Sequence, residues 1–254
     1  MTAPMTLRER IGVDLGGRRR LEDGLAWAAA NGVYYVDMCL EGAPDHPNAP
    51  ATWTPERVAA LRTACERHGI HLGLHSASAV NVAETSPLLT DAAERYLETY
   101  IHLAGRLGAE WIVVHGGYHF TGDYAARRAA SLERLQRAAA LAERAGARLL
   151  LENLNREPEH AEIRYLAHDL EECREYFGRI RSPSLGWAFT VNHAHLVPRA
   201  STASSTRWTS GGAGRCAWPT ATAATRSTCG RARARSTSGG CSRGSRAAAT
   251  AVTT

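Results

Sequence analysis

Between residues 10 and 198, short apolar runs alternate six times with helical patterns, and few folds accommodate that alternation. Residues 10–15, 33–38, 70–74, 111–114, 149–151 and 185–189 read as strands. Strands that are apolar almost throughout are buried on both faces, as in a parallel sheet covered by helices. The helices carry their own punctuation. Residues 21–31 form the first, closed by Gly32. Thr54-Pro55-Glu56 opens the next with an N-cap hydroxyl, a proline at the first helical position and an acid at the positive dipole end. That helix buries Val58, Leu61 and Cys65 and stops at Gly69. A helix over 90–107 places Leu97, Ile101 and Ala104 on one face and ends at Gly108; another over 123–145 ends at Gly146. Asp169 and Glu172 form a capping box for a helix reaching Phe177. There is neither a second domain nor a glycine-rich phosphate loop, and 254 residues is an ordinary size for a (β/α)8 TIM barrel, the fold this pattern predicts.

A barrel needs eight units, and only six are readable. From Arg199 to Thr254 the chain has no Asp, Glu, Leu, Ile, Phe, Tyr, His or Asn. Such a stretch cannot bury enough apolar surface to offset its conformational entropy. Two readings compete: a low-complexity tail, or translation in a shifted frame. If one base is lost, Ser stands for Phe, Leu, Ile or Val, and Thr for Asp, His, Asn or Tyr. Under that rule 199–209 (RASTASSTRWT) becomes EGIDGFVDALD, an amphipathic helix, and 215–222 (RCAWPTAT) becomes EVRLADCH, a strand with a polar end. Residues 236–242 (STSGGCS) become VDFGRLL. The restored apolar periodicity follows from the fixed bases and favours the frameshift. The expected organisation is a flexible N-terminus over 1–9, an incomplete barrel over 10–198, and an out-of-frame, disordered tail over 199–254 that has lost the last two units.

Charge must be read with that boundary in mind. The net charge of +5 includes eight arginines beyond Arg199, so the remainder stands near −3. A basic surface for nucleic acid is therefore not expected. Cys39, Cys65 and Cys173 precede the tail, and their odd number and wide spacing argue against disulfides or a cysteine metal site. Free thiols fit a reducing cytoplasm. No apolar run is long enough to span a membrane, and no leader pattern is present, so the expectation is a soluble, unexported protein. A homo-oligomer is compatible with this composition.

In a barrel, catalytic groups gather at the carboxyl ends of the strands. His75 follows the third strand, His115 the fourth and Glu152 the fifth, while His193 and His195 follow the sixth. Imidazole and carboxylate delivered to one mouth suit Zn²⁺, Mn²⁺, Co²⁺ or Fe²⁺. A lone strand-end histidine is more often a satisfied polar group, but a glutamate after three leucines needs a partner. Asn153, Asn155 and Arg156 either orient a polyol or cap the following loop. Asp14 and Asp37 either bind substrate or hydrogen-bond the loops, and Trp111 and Trp187 read as core aromatics. His46, His68, His71, His102, His119, His160 and His168 are assigned to surface and loops.

VVHGG, LLLENLNRE and TVNHAHL resemble the xylose-isomerase-like TIM-barrel superfamily of sugar phosphate isomerases and epimerases, which has endonuclease IV as a relative. The likeness runs from about Arg10 to Pro198. It implies a divalent metal (Mn, Co, Zn or Mg), with Glu152 as ligand and proton carrier and His75 and His115 as ligands in the endonuclease manner. It implies that His193 holds a substrate oxygen, helped by Asn153, Asn155, Arg156 and His195. The family's ligand at the sixth strand is an aspartate, and Thr190 stands there instead. The implied activity is isomerisation or epimerisation of a sugar or sugar phosphate, impaired in this chain. An abasic-site nuclease and a non-catalytic polyol-binding barrel are the alternatives.

Overall fold

The computed structural model describes residues 11–17, 19–39 and 46–197. The expected N-terminal segment (1–9) and tail (199–254) lie outside them. The elements are β1 (Gly12–Asp14), α1 (Leu21–Ala30), β2 (Tyr35–Cys39), α2 (Pro55–His68), β3 (His71–His75), α3 (Pro87–Leu107), β4 (Trp111–His115) and β5 (Tyr118–Phe120). They continue with α4 (Tyr124–Ala145), β6 (Leu149–Glu152), β7 (Ile163–Tyr165), α5 (Leu170–Arg179), β8 (Leu185–Ala188) and α6 (Val191–His195).

Six strands pair in parallel in the order β1-β2-β3-β4-β6-β8, the first six strands of a (β/α)8 barrel. Side chains alternate between two layers. Val36, Met38, Leu72, Leu74, Ile112, Val114, Leu149 and Leu151 point outward and pack under helix residues such as Leu61, Leu97, Ile101 and Leu135. The opposite face carries Tyr35, Trp111, Val113, Leu150 and Ala188. Among the described residues β1 and β8 each pair on one side only.

Helix punctuation follows the expected chemistry. Thr54 Oγ1 accepts from Arg57 N at 3.2 Å, and Gly69, Gly108 and Gly146 take the left-handed conformation that ends α2, α3 and α4. Asp169 accepts from Glu172 N at 2.9 Å, but Glu172 reaches back to His168 N, one residue before the cap. Helix α3 starts three residues before the expected Thr90. Pro87 takes its first position, and the Glu84 carboxylate accepts from Thr85 N and Ser86 N at 2.8 and 2.7 Å just ahead of it.

An antiparallel pair, β5 with β7, was not expected, because three-residue strands are too short to show a period. It rises from the loops after β4 and β6, at the carboxyl end of the sheet. The loop after β3 is clasped to it: Asn81 donates to Tyr118 O at 3.0 Å and accepts from Tyr118 N at 2.9 Å. Gly117, at φ 83°, leaves room for that amide, since a Cβ there would sit 2.5 Å from Asn81 Oδ1. The buried Arg134 of α4 holds the same loop through the carbonyls of Val82 and Glu84.

Candidate metal centre

Three strand ends deliver the site. Register sets Glu152 beside His115, and His75 beside Val113, so all three side chains face the same interior layer. Each is the last residue of its strand, and each is buried. His75 Nε2 and His115 Nε2 lie 3.1 Å apart. Glu152 Oε2 is 3.1 Å from His115 Nε2 and 3.5 Å from His75 Nε2. Donors sharing one ion at roughly 2.0–2.2 Å stand about 3 to 3.5 Å apart, so these separations are those of a common coordination shell.

The outer nitrogens are also engaged. His75 Nδ1 meets Asp37 Oδ2 at 3.2 Å, and His115 Nδ1 meets Ser76 Oγ at 3.3 Å. An ionised carboxylate only accepts, so His75 places its hydrogen on Nδ1 and its lone pair on Nε2. Two ring nitrogens and a carboxylate oxygen then converge on one point, an arrangement that a cation satisfies. Burial alone would raise the Glu152 pKa, but the neighbouring His115 and His75 rings outweigh it and hold the carboxylate below its usual range.

Thr190 is fully buried and donates its hydroxyl to Glu152 Oε1 at 2.5 Å. It therefore supports the glutamate from behind and leaves Oε2 directed at the imidazoles. Asn153 is spent on Thr190: its Oδ1 accepts from Thr190 N at 2.8 Å, and its Nδ2 donates to Thr190 O at 3.0 Å. The amide stitches the end of β6 to the segment after β8, using one N–H donor and one carbonyl lone pair. His193 donates Nδ1–H to Asn153 O at 2.8 Å and stands 3.7 Å from Glu152 Oε1, at the edge of the triad. His195 is exposed, about 200° round α6 from His193, and the structure does not bring it to the triad. Asn155 and Arg156 bind locally, to Glu157 at 2.9 Å and Glu159 at 3.8 Å, as loop caps do.

Sequence reasoning left other groups unresolved or misassigned. Asp14 caps its own turn by accepting from Gly16 N at 2.8 Å. Asp37 supports His75, and Trp111 donates to Asp37 Oδ1 at 3.3 Å, so this indole has a polar task besides packing. His119 is buried against Tyr124 rather than at the surface. His168 pairs with Glu172 at 3.0 Å, and Tyr124 donates to the same carboxylate at 2.8 Å. Burial and Glu172 push the Tyr124 hydroxyl up to about 12. Spacing could not reveal the Asp37–Trp111 and Tyr124–Glu172 contacts, because they join residues 74 and 48 positions apart.

Comparison with known proteins bears on the fold and the family. The family model described as xylose isomerase-like TIM barrel matches residues 25–209. No curated protein matches the chain significantly. Among solved structures, a D-tagatose 3-epimerase-like protein superposes with TM-score 0.60 at 19% identity, over 72% of this chain and 69% of that one. D-psicose 3-epimerase from Clostridium cellulolyticum, solved with D-tagatose, gives 0.61 at 14% identity, over 75% and 66%. Endonuclease IV from Thermus thermophilus gives 0.54 at 22% identity, over 74% and 64%. The chain thus spans about two thirds of the length of these structures, and at such identities the likeness is one of fold.

Proposed function

Because the chain belongs to the xylose isomerase-like TIM barrel family, we propose that it descends from a divalent-metal-dependent isomerase or epimerase of sugars or sugar phosphates. The convergence of His75 Nε2, His115 Nε2 and Glu152 Oε2 carries this reading. Two imidazoles and one carboxylate suit Zn²⁺, Mn²⁺ or Co²⁺ better than Mg²⁺, which prefers oxygen. A bound ion of this kind polarises a carbonyl as a Lewis acid and eases proton removal from the adjacent carbon.

The residues divide the remaining work. His75, His115 and Glu152 hold the ion, and Thr190 fixes the Glu152 carboxylate so that one oxygen faces it. Glu152 is the carboxylate at this site, and we assign it the ligand role together with the proton transfer on the carbon next to the carbonyl. His193 is partly exposed, and donating Nδ1–H to Asn153 leaves Nε2 an acceptor for a substrate hydroxyl. Residues 199–254 carry no Leu, Ile, Phe, Asp or Glu, and on this reading turnover is impaired in the chain as it stands.

A second reading, an abasic-site nuclease, is favoured by the histidine pair and opposed by the charge near −3 up to Arg199. One experiment separates the readings. Zinc-, manganese- and cobalt-loaded protein, from this gene and from one with the frame restored after Pro198, is assayed on a ketose panel and on an abasic-site duplex. The proposal predicts ketose isomerisation or epimerisation by the restored protein and no strand cleavage. Cleavage favours the nuclease. Metal uptake by the restored protein without turnover of any sugar favours a non-catalytic polyol-binding barrel.

A further inference from the structure

Asp37 lies on β2, level with Gly73 of β3 and therefore one pleat below His75 on the same face. Its carboxylate is buried, and each oxygen has a partner on another strand: Oδ2 meets His75 Nδ1 at 3.2 Å, and Oδ1 accepts from Trp111 Nε1 at 3.3 Å. A charge removed from water is costly unless hydrogen-bonded on several sides, so an aspartate here needs those partners.

The indole reaches Asp37 by crossing β3, and it can do so only because position 73 is glycine. A Cβ at Gly73 would lie 1.9 Å from both Cε2 and Nε1 of Trp111. Glycine weakens a strand interior, so its presence marks a close approach that the fold uses. Tyr35 closes the far side, its ring 6.5 Å from that of Trp111. Three adjacent strands thus spend a glycine, an indole and a buried acid on the outer nitrogen of one histidine.

We infer that Asp37, anchored by Trp111 over Gly73, is a positioning residue that holds His75 with Nδ1 protonated and the Nε2 lone pair aimed at the ion. The inference rests on the metal-binding reading above. A histidine fixed in one tautomer and one rotamer loses little freedom when it ligates, and its basicity is raised by the carboxylate behind it. An amide in place of the acid can donate its own N–H to Nδ1. The ring hydrogen then moves to Nε2, and a hydrogen faces the ion instead of a lone pair.

The test uses the chain as it stands. Zinc affinity is measured by competition with a chromogenic chelator for the unaltered protein, Asp37→Asn and Trp111→Phe. The histidine tautomer is read in the metal-free proteins from long-range ¹H–¹⁵N spectra. Asp37→Asn should bind zinc about 10–100-fold more weakly and carry the His75 hydrogen on Nε2. Trp111→Phe keeps the ring packing but removes the N–H, and should weaken zinc by a smaller factor; it carries the test should Asp37→Asn not fold. Equal zinc affinity in the variants, or Nε2–H at His75 in the unaltered protein, overturns the inference. If the unaltered protein takes up no zinc, the metal reading fails, while the tautomer still decides the role of Asp37.

Discussion

Glu152 is buried at 3% exposure with a histidine pair before it and a threonine hydroxyl behind, and its behaviour follows from those neighbours. Glu152→Gln removes the charge while keeping the shape, so the variant should stay folded but fail to retain zinc at micromolar concentration, as read by elemental analysis after gel filtration. Thr190→Val leaves a buried carboxylate oxygen without its donor, at a cost of about 1–3 kcal/mol in urea unfolding of the metal-free protein, whereas Thr190→Ser should cost far less. Equal stability for Val and Ser would mean that the hydroxyl does not hold Glu152. The triad was legible in the sequence because each member ends an apolar strand, and strand ends share a mouth. Asp37 was read as a substrate or loop group; its contacts with His75 and Trp111 depend on the register of three strands and on the space above Gly73. Asn153 was read as a substrate or loop group; its clasp on Thr190 depends on β6 lying beside β8.

At the scale of elements, the segment before α2 is held by one acid. Glu22 of α1 takes Arg57 Nε at 2.7 Å and Nη2 at 3.0 Å, and Arg57 also donates to Pro47 O and to the Thr52 hydroxyl. The Arg57 guanidinium holds Glu22 down to about 2, against burial. A lowered carboxylate stabilises the fold fully above its ordinary pKa near 4.5 and loses that contribution as pH falls toward 2. Glu22→Gln should therefore flatten this part of the acid-unfolding curve. After discounting for solvent screening, the effect is on the order of 1 kcal/mol at pH 7; identical curves for both proteins would remove the pair from the stability account. The turn before α5 carries strain of another kind: Ala167 is buried at φ 58°, a conformation that costs a side-chain-bearing residue energy. Ala167→Gly should gain roughly 0.5–1 kcal/mol in thermal unfolding, and a loss would show that the methyl packing outweighs the strain. Helix ends were readable because caps are local chemistry. β5, β7 and the early start of α3 were not, since they depend on loop contacts or on a single Ser-Pro step.

For the whole molecule, six parallel strands were visible as six apolar runs, whereas residues 199–254, which lie outside the described residues, carry no Leu, Ile or Phe to mark a strand. Exposed Ile11 and Val191 lie next to the two strands, β1 and β8, that pair on one side only among the described residues. On the frameshift reading these edges stay uncovered, and an uncovered strand edge promotes association. The chain as it stands should therefore aggregate at lower concentration than a frame-restored protein, as measured by light scattering; equal behaviour would count against the frameshift. The central claim is narrower, that His75, His115 and Glu152 together hold a divalent ion. Equilibrium dialysis of the chain against micromolar zinc, with metal counted by mass spectrometry, tests it most directly. The account predicts about one ion per chain, lost when both His75 and His115 become alanine in a protein that remains folded. No zinc in the unaltered chain, or the same amount in the double variant, contradicts it.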